Sequence, residues 1–361
     1  MKGRLIHKND ILRLVDHLRK DFKVVAPFEG KGRDSYFDEV ADANRGAVAL
    51  HLPNPYYPPK RYVFPHIQRL FTMNDGGKPS VEEIGDESKV AVFGIRSCDI
   101  EGIFHLDRFY LGNTFKDSYY EALRNRLFLV NMVCTDTEKD IDDDCFCVCA
   151  DAGPATRNHF DLQLMDLHDE NGEFLAVAGT PAGEALFSQP FFHTAGPEHV
   201  ARRRDVLEEV RKRFKVATSW YSAATKFITQ GGIEEATWKH VGDRCLECGG
   251  CSYVCPTCSC FTVTDRKTGS GMWERVRMWD SCALSGFTRM AGGHNPRRAV
   301  HDRRNRRFFH KLEHMVVQKE FTVACVGCGR CARVCHGGIG MPAVVEILRR
   351  ETAASKKAEK A

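Results

Sequence analysis

The 361-residue sequence lacks several features that would assign it to common protein classes. It has no run of the ~20 apolar residues that a membrane-spanning helix needs, and no apolar stretch of signal-peptide length follows Met1. We therefore expect a soluble protein that stays in the cytoplasm. Lysine and arginine total 52 against 48 aspartate and glutamate residues, so the net charge of +4 gives no general attraction to nucleic acid or to an anionic membrane. Because 43% of the residues are hydrophobic, wholesale disorder is excluded as well.

The local motifs of several enzyme classes are also missing. There is no phosphate-binding loop, no Gly-x-Ser-x-Gly motif and no His-Glu-x-x-His motif. Residues 338–343 match the glycine pattern of a dinucleotide site only in outline, since no predicted strand precedes them and Pro342 lies inside the match. We expect the chain itself to bind neither flavin nor nicotinamide.

Cysteine, by contrast, is abundant, with 16 residues that lie mostly in short-spaced clusters. Two stretches share the spacing Cys-x2-Cys-x2-Cys-x3-Cys, the bacterial ferredoxin run that holds [4Fe–4S] clusters. They comprise Cys245, Cys248, Cys251 and Cys255, and Cys325, Cys328, Cys331 and Cys335. Cytoplasmic thiols stay reduced, and this spacing crowds them too tightly for independent disulfides. Zinc knuckles, the alternative, leave the third and fourth cysteines of both copies unexplained.

The assignment of the fourth cysteine of each run is a separate question. In compact two-cluster ferredoxins it ligates the other cluster. We predict the same exchange here, which places Cys335 with the first run and Cys255 with the second. The residues leave local ligation open, because a long insertion at residues 261–320 separates the two runs.

The N-terminal part has the pattern of an α/β domain. Apolar runs at residues 89–95 and 127–133 flank helical patterns, which predicts a βαβ unit with parallel strands. The carboxyl ends of both strands then open at one edge of the sheet, where the cysteines that follow them come near each other. A candidate third iron–sulfur site consists of Cys98, Cys134, Cys145 and Cys147. Buried structural thiols or a zinc site are the alternatives.

These patterns predict an α+β fold whose C-terminal ferredoxin-like domain carries a helical insertion. We divide the chain into an N-terminal α/β domain at 1–195, a helical connector at 196–235, a dicluster ferredoxin-type domain at 236–352 and a flexible tail at 353–361. Further predictions are a short helix with Ile11, Val15 and Leu18 on one face, strands at 22–26, 47–52, 160–167 and 173–178, a turn at Asn171 and Gly172, and a helix at 100–110 capped by Asp99.

Two groups of residues have no single interpretation. Four cysteines, which could ligate iron, tune a neighbouring cluster or simply pack, are Cys149, Cys258, Cys260 and Cys282. A basic stretch consists of Arg297, Arg298, Arg303, Arg304, Arg306 and Arg307. Apolar residues follow it at helical spacing, so the stretch is either a solvated helix face or a docking surface for an acidic partner.

The combination of motifs resembles one family over residues 10–345, that of the iron–sulfur subunit of anaerobic sulfite reductase and the beta subunit of cytoplasmic nickel–iron sulfhydrogenases. The resemblance is carried by Cys-Pro-Thr-Cys-Ser-Cys at 255–260, Trp-Asp-Ser-Cys at 279–282, Met-Ala-Gly-Gly-His at 290–294, Gly-Ile-Arg-Ser-Cys-Asp at 94–99, Leu-Asp-Arg at 106–108 and Cys-Phe-Cys at 145–147. His336 departs from the family pattern, which commonly has proline after the fourth cysteine.

The resemblance implies an electron-transfer subunit of an anaerobic oxidoreductase with two ferredoxin-type [4Fe–4S] clusters. Its implied partners are a flavin- and NAD(P)H-binding subunit and a catalytic subunit of sulfite reductase or hydrogenase type. The family shares the cysteines of the candidate third site, which implies a third cluster, and it shares Cys258, Cys260 and Cys282 without naming their role. His336 bears on the solvent exposure or potential of a cluster rather than on ligation.

Two hypotheses from other classes remain open. The chain could be a reductase in its own right, with a substrate-binding cluster at the Cys98 and Cys134 edge, which an open iron coordination site would reveal. A zinc-stapled structural protein would be colourless. The residues do not distinguish protons, sulfur, sulfite or a disulfide as the terminal electron acceptor.

Overall fold

The computed structural model describes residues 3–32, 34–74, 80–83, 88–214, 220–231, 233–269, 271–318 and 323–358. Over these ranges strands and helices are mixed, which confirms the α+β class. The strands are β1 (Gly3–His7), β2 (Lys23–Glu29), β3 (Ser35–Glu39), β4 (Ile67–Asn74), β5 (Ser80–Glu83), β6 (Val90–Ile95), β7 (Leu127–Met132), β8 (Leu162–Asp166), β9 (Glu173–Ala178), β10 (His193–Thr194), β11 (Phe261–Gly269) and β12 (Met272–Trp279). The helices are α1 (Ile11–Leu18), α2 (Ser97–Leu111), α3 (Ser118–Arg124), α4 (Pro181–Ala185), α5 (Pro197–Arg213), α6 (Trp220–Thr229), α7 (Glu235–Asp243), α8 (Gly250–Tyr253), α9 (Val300–Phe309), α10 (Arg330–Arg333) and α11 (Met341–Ala358).

Eight strands form the larger sheet, in the order β10-β1-β9-β8-β7-β6-β2-β3. The central strands β2, β6, β7 and β8 pair in parallel, whereas the outer pairs are antiparallel. The parallel pairing of β6 with β7, which α2 and α3 separate in the chain, confirms the predicted βαβ unit. The antiparallel pair β8–β9 confirms the hairpin at Gly172, whose φ of +68° suits glycine.

Helices cover the larger sheet on both faces. Phe93 and Val130 pack with Leu14 of α1 on one face, and Val92 packs with Ile103 of α2 on the other. Strands that are buried on both faces are apolar at nearly every position. This is why the runs at 89–95 and 127–133 predict strands without any alternation of apolar and polar residues.

The smaller sheet joins distant parts of the chain, in the order β11-β12-β4-β5. Its β11–β12 hairpin lies inside the insertion at 261–320, and β12 pairs with β4 of the N-terminal half. Trp279 at the end of β12 donates from Nε1 to the carbonyl oxygen of Phe64 at 3.0 Å. The prediction of a wholly helical insertion is therefore wrong: the insertion begins with a hairpin, because β4 offers it an edge, and only then continues with α9.

The C-terminal helices pack around a second core that contains Trp238, Phe308, Leu312 and Val344. Helix α9 continues into a wider, π-type stretch at His310–Gln318. Helix α11 extends through Ala358 and so includes part of the predicted tail, of which residues 359–361 lie outside the described ranges, as do residues 215–219 of the predicted connector. Within the described ranges, no helix has both the length and the apolarity needed to span a bilayer.

Two local predictions are wrong for reasons that the structure makes clear. Residues 47–52 form no strand, since the guanidinium of Arg96 donates to the carbonyl oxygens of Leu50 and Leu52 at 3.0 and 2.6 Å and so replaces a neighbouring strand as hydrogen-bond partner. Helix α2 begins at Ser97, two residues before Asp99. The Asp99 carboxylate forms an ion pair with Arg330 instead of capping the helix.

Candidate iron–sulfur centres

Three cysteines of the first ferredoxin run and the last cysteine of the second run line one small cavity. This first cysteine set comprises Cys245, Cys248, Cys251 and Cys335. The backbone N–H of Glu247 points to Cys245 Sγ at 3.4 Å, and that of Ile339 points to Cys335 Sγ at 3.3 Å. Hydrogen bonds of this kind to sulfur tune the potential of an iron–sulfur cluster. His336 also lines the cavity, so the departure from the family pattern lies at the wall of the site.

The remaining four ferredoxin-type cysteines form a second group. This second cysteine set comprises Cys255, Cys325, Cys328 and Cys331. Burial, together with the charge of Cys255, raises the pKa values of Cys328 and Cys331 to about 11, and Cys325 is a further charged neighbour of Cys331. The backbone N–H of Met341 points to Cys331 Sγ at 3.3 Å. A thiol with so high a pKa ionises near neutral pH when a metal takes the place of its proton.

The two ferredoxin runs have matching local geometry. In each, a glycine in the left-handed region precedes a four-residue helix: Gly249, with φ of +73°, precedes α8, and Gly329, with φ of +75°, precedes α10. Glycine adopts this conformation without the steric cost of a side chain. The helices place Cys251 and Cys331 at equivalent positions of their runs.

The four N-terminal cysteines also come together. This third cysteine set comprises Cys98, Cys134, Cys145 and Cys147. The charges of Cys145 and Cys134 act on Cys147, and the charge of Cys147 acts on Cys98. Burial is the main cause that raises the pKa values of all four thiols, to about 12 for Cys134 and Cys145. The predicted meeting of Cys98 and Cys134 at the sheet edge thus occurs around the Cys-Phe-Cys loop.

The third cysteine set lies beside the second. The charge of Cys328 acts on Cys98 and Cys147, and the backbone N–H of Phe146 donates to the carbonyl oxygen of Gly327 at 2.8 Å. A Cβ atom on Gly327 would lie 2.6 Å from the Cα atom of Cys147, so the close approach of the two loops requires glycine. Asn54 Nδ2 bridges the two sets, donating to the carbonyl oxygen of Cys328 at 2.8 Å.

Buried cations, which the sequence analysis did not anticipate, surround the first and second sets. Arg304 Nη1 points to Cys245 Sγ at 3.6 Å and to Cys251 Sγ at 3.5 Å. Arg307 Nη1 donates to the carbonyl oxygen of Cys251 at 2.9 Å and points to Cys258 Sγ at 3.7 Å. Both arginines are 3% exposed, so the basic stretch is neither wholly solvated nor wholly a docking surface.

Two buried lysines complete this cation shell, which consists of Lys60, Arg304, Arg307 and Lys311. Lys60 Nζ donates to the carbonyl oxygen of Cys258 at 2.8 Å, and burial lowers its pKa to about 8. Burial opposes the charge of Lys311 too, but the charges of Cys255 and Cys258 hold its pKa above the usual value. Buried charges need compensation. Here the compensating groups are cysteine sulfurs, which carry charge when they ligate metal.

A polar network fixes the loop that follows Cys134. Its Asp140 carboxylate accepts from the Arg96 guanidinium at 2.8 Å and lies 3.2 Å from His51 Nδ1, while His51 Nε2 lies 3.1 Å from Asp166. Although burial disfavours the charged imidazole, the two carboxylates raise the pKa of His51 to about 9. No sequence motif signals this network, because its members lie far apart in the chain.

The four unassigned cysteines separate into three environments. Cys149 packs against the C-terminal core, Cys258 contacts the cluster candidate Cys255, and Cys260 and Cys282 contact each other. None of these arrangements follows from spacing alone, since Cys282 is 22 residues from Cys260 in the chain.

Comparison with known proteins agrees with this geometry. Residues 244–339 match the family model described as a 4Fe-4S dicluster domain. The chain is 31% identical to sulfhydrogenase 2 subunit beta of Pyrococcus furiosus over 315 residues, which cover 87% of this chain and 88% of the relative. The chain belongs to the sulfhydrogenase beta-subunit family. No solved structure gives a significant match.

Membership in the sulfhydrogenase beta-subunit family confirms the resemblance that the motifs indicated. The dicluster domain makes the chain an iron–sulfur protein of the electron-transfer class with two [4Fe–4S] clusters, and its position confirms the C-terminal location expected from the cysteine runs.

Proposed function

We propose that the chain is the iron–sulfur relay of a cytoplasmic, anaerobic oxidoreductase, between a flavin- and NAD(P)H-binding subunit and a catalytic subunit of hydrogenase or sulfite reductase type. The observation that carries the proposal is the interlocking of the two ferredoxin runs, in which Cys335 lines the cavity of the first run and Cys255 acts on the cysteines of the second. The sulfhydrogenase name of the relative supports partner subunits.

The cysteine sets suit clusters better than single ions. Within the described part of the chain, no three His, Cys, Asp or Glu side chains converge as ligands of one metal ion. In a [4Fe–4S] cluster each thiolate binds a different iron, so its ligands stand further apart than those of a zinc ion. The first, second and third cysteine sets would each hold one such cluster, which supplies one-electron oxidation and reduction.

The residues place the three sets side by side. Cys251 and Cys255 lie on and just after α8 and so connect the first set to the second, while Cys328 connects the second set to the third. The first set is nearest to the surface, because Cys248 is exposed. The order of the sets therefore suits transport between the protein surface and the edge of the larger sheet.

The buried cations set the electrostatics of the relay. Arg304, Arg307 and Lys311 hold positive charge against the thiolates and favour the reduced, more negative state of whatever cluster those thiolates hold. No side chain has to act as an acid, base or nucleophile in this function. The alternative of a substrate-binding cluster at the Cys98 edge has little support, because Cys98 is only 7% exposed.

The test is reduction by a pyridine nucleotide. We expect NADH or NADPH to produce the electron paramagnetic resonance signals of this chain's clusters only when the chain is isolated, without oxygen, together with its partner subunits. The isolated chain should give the same signals with dithionite and none with NADH or NADPH. Reduction of the isolated chain by a pyridine nucleotide, or a native preparation without partner subunits, would contradict the relay.

A further inference from the structure

Two thiols outside the three cysteine sets meet at the base of the β11–β12 hairpin. Phe261 pairs with Trp279 at the end of the hairpin, and the N–H of Asp280 donates to the carbonyl oxygen of Cys260 at 3.0 Å. This extended pairing brings Cys260 and Cys282 together, and their side chains are in hydrogen-bond contact. The contact is thus a product of hairpin register.

The thiol pair is accessible from outside the protein. Cys260 and Cys282 both line a cavity of about 390 Å³, whose wall also contains Arg297, Arg306 and His314. Both cysteines are half-buried, whereas Cys255, Cys325, Cys328 and Cys331 of the neighbouring second set are buried. Protons and water can therefore reach this pair more readily than the second set.

The thiol pair also adjoins the candidate cluster ligands. The hydroxyl of Ser252, the residue after Cys251 of the first set, lies 4.0 Å from Cys282 Sγ. The charge of Cys282 acts on Cys251, and that of Cys258, which contacts Cys255 of the second set, acts on Cys260. The pair consequently lies next to both C-terminal sets without belonging to either.

We infer that Cys260 and Cys282 form a redox-active dithiol–disulfide couple that exchanges electrons with the adjacent iron–sulfur clusters. On oxidation two S–H bonds break and one S–S bond forms. Two protons leave to water in the cavity, and two electrons pass one at a time to oxidised clusters, whose presence on the neighbouring cysteines rests on the proposed function. Reduction reverses each step. Disulfides of cytoplasmic proteins are usually transient, catalytic or redox-sensing, which fits a pair in this position.

The test is disulfide mapping of the full-length protein with its iron, purified without oxygen. One sample is oxidised with a mild dye and one is reduced with dithionite, and both are quenched in acid and alkylated. Cleavage after Arg277 and Arg289 releases Cys282 as the single cysteine of its peptide. We expect that peptide to be linked to the one containing Cys260 in most oxidised molecules and to be free in the reduced sample. Absence of the link in both samples would overturn the inference.

Variants separate the couple from two other roles. Cys260→Ser and Cys282→Ser should abolish the link and leave iron and acid-labile sulfide per chain unchanged, while a loss of about four irons would make the pair cluster ligands and refute the couple. Cys258→Ser, the matched control, should retain the link, because Cys258 contacts Cys255. Unmodified protein without iron would refute the proposed function, whereas full iron without the link would refute this couple alone.

Discussion

The guanidinium of Arg330 forms a bidentate ion pair with the carboxylate of Asp99, at N···O distances of 2.6 and 2.8 Å. Both side chains are almost completely buried. Arg330 precedes Cys331 of the second cysteine set and Asp99 follows Cys98 of the third, so the ion pair connects two candidate cluster sites and the two halves of the chain.

Replacing Asp99 with asparagine should destabilise the protein strongly. The substitution leaves the Arg330 charge buried without compensation, and breaking a buried pair in this way costs about 3–5 kcal/mol of unfolding free energy. Urea unfolding without oxygen, followed by tryptophan fluorescence, measures the change. Asp265→Asn is the control, because its exposed pair with Arg275 is screened by water and its loss should have no measurable effect. Equal stabilities of the two variants would contradict the structural role of Arg330.

Stability should fall as the pH rises from neutral to about 9. His51 has a folded-state pKa of about 9 against 6.5 for an unperturbed histidine. Its stabilising contribution is therefore complete below pH 6.5 and is lost as the pH rises through 9, by at most about 1.4 kcal/mol per pH unit. Urea midpoints between pH 6 and pH 9.5 measure the slope. His51→Gln should flatten the slope, and an unchanged slope in that variant would assign the effect to another group.

Removing a cation of the shell should make a cluster harder to reduce. Lys311→Met keeps most of the side-chain volume and deletes a buried positive charge, so we expect the reduction potential of one cluster to fall by roughly 50–100 mV. A redox titration monitored by electron paramagnetic resonance gives the potential. Arg306→Met is the control, because Arg306 is exposed on α9 and water screens its charge. A potential unaffected by Lys311→Met would show that this lysine does not act on a cluster.

The exchange of fourth cysteines can be tested by counting iron in double variants. If Cys248 and Cys335 hold the same cluster, Cys248→Ala, Cys335→Ala and their combination should each lose about four irons per chain. The combination of Cys248→Ala with Cys325→Ala should lose about eight, because these residues belong to different sets. A loss of about eight irons in the Cys248 and Cys335 double variant would favour local ligation instead.

The sequence predicted those features that depend on short spacing or on continuous apolar runs. Both ferredoxin runs, the parallel strands β6 and β7 and the hairpin at Gly172 are local patterns, and the structure contains all three. The proximity of Cys98 to Cys147 followed in part from topology, because the ends of parallel strands meet at one sheet edge.

The cation shell could not be predicted in the same way. Periodicity treats arginine as solvent-exposed, so Arg304 and Arg307 suggested a solvated face. Their burial depends on cysteine sulfurs about fifty residues away and on Lys60, which comes from the N-terminal half. The failed strand at residues 47–52 has a similar cause, because the partner of its carbonyl groups is the side chain of Arg96 rather than a strand.

Iron and acid-labile sulfide per chain, measured on protein purified without oxygen and combined with electron paramagnetic resonance after dithionite reduction, test the central claim most directly. Three interacting clusters predict about twelve irons and twelve sulfides, falling to about eight of each in Cys147→Ala. About eight irons in the unmodified chain would restrict the relay to the C-terminal sets and leave the third cysteine set structural. Zinc without iron would contradict the electron-transfer account as a whole.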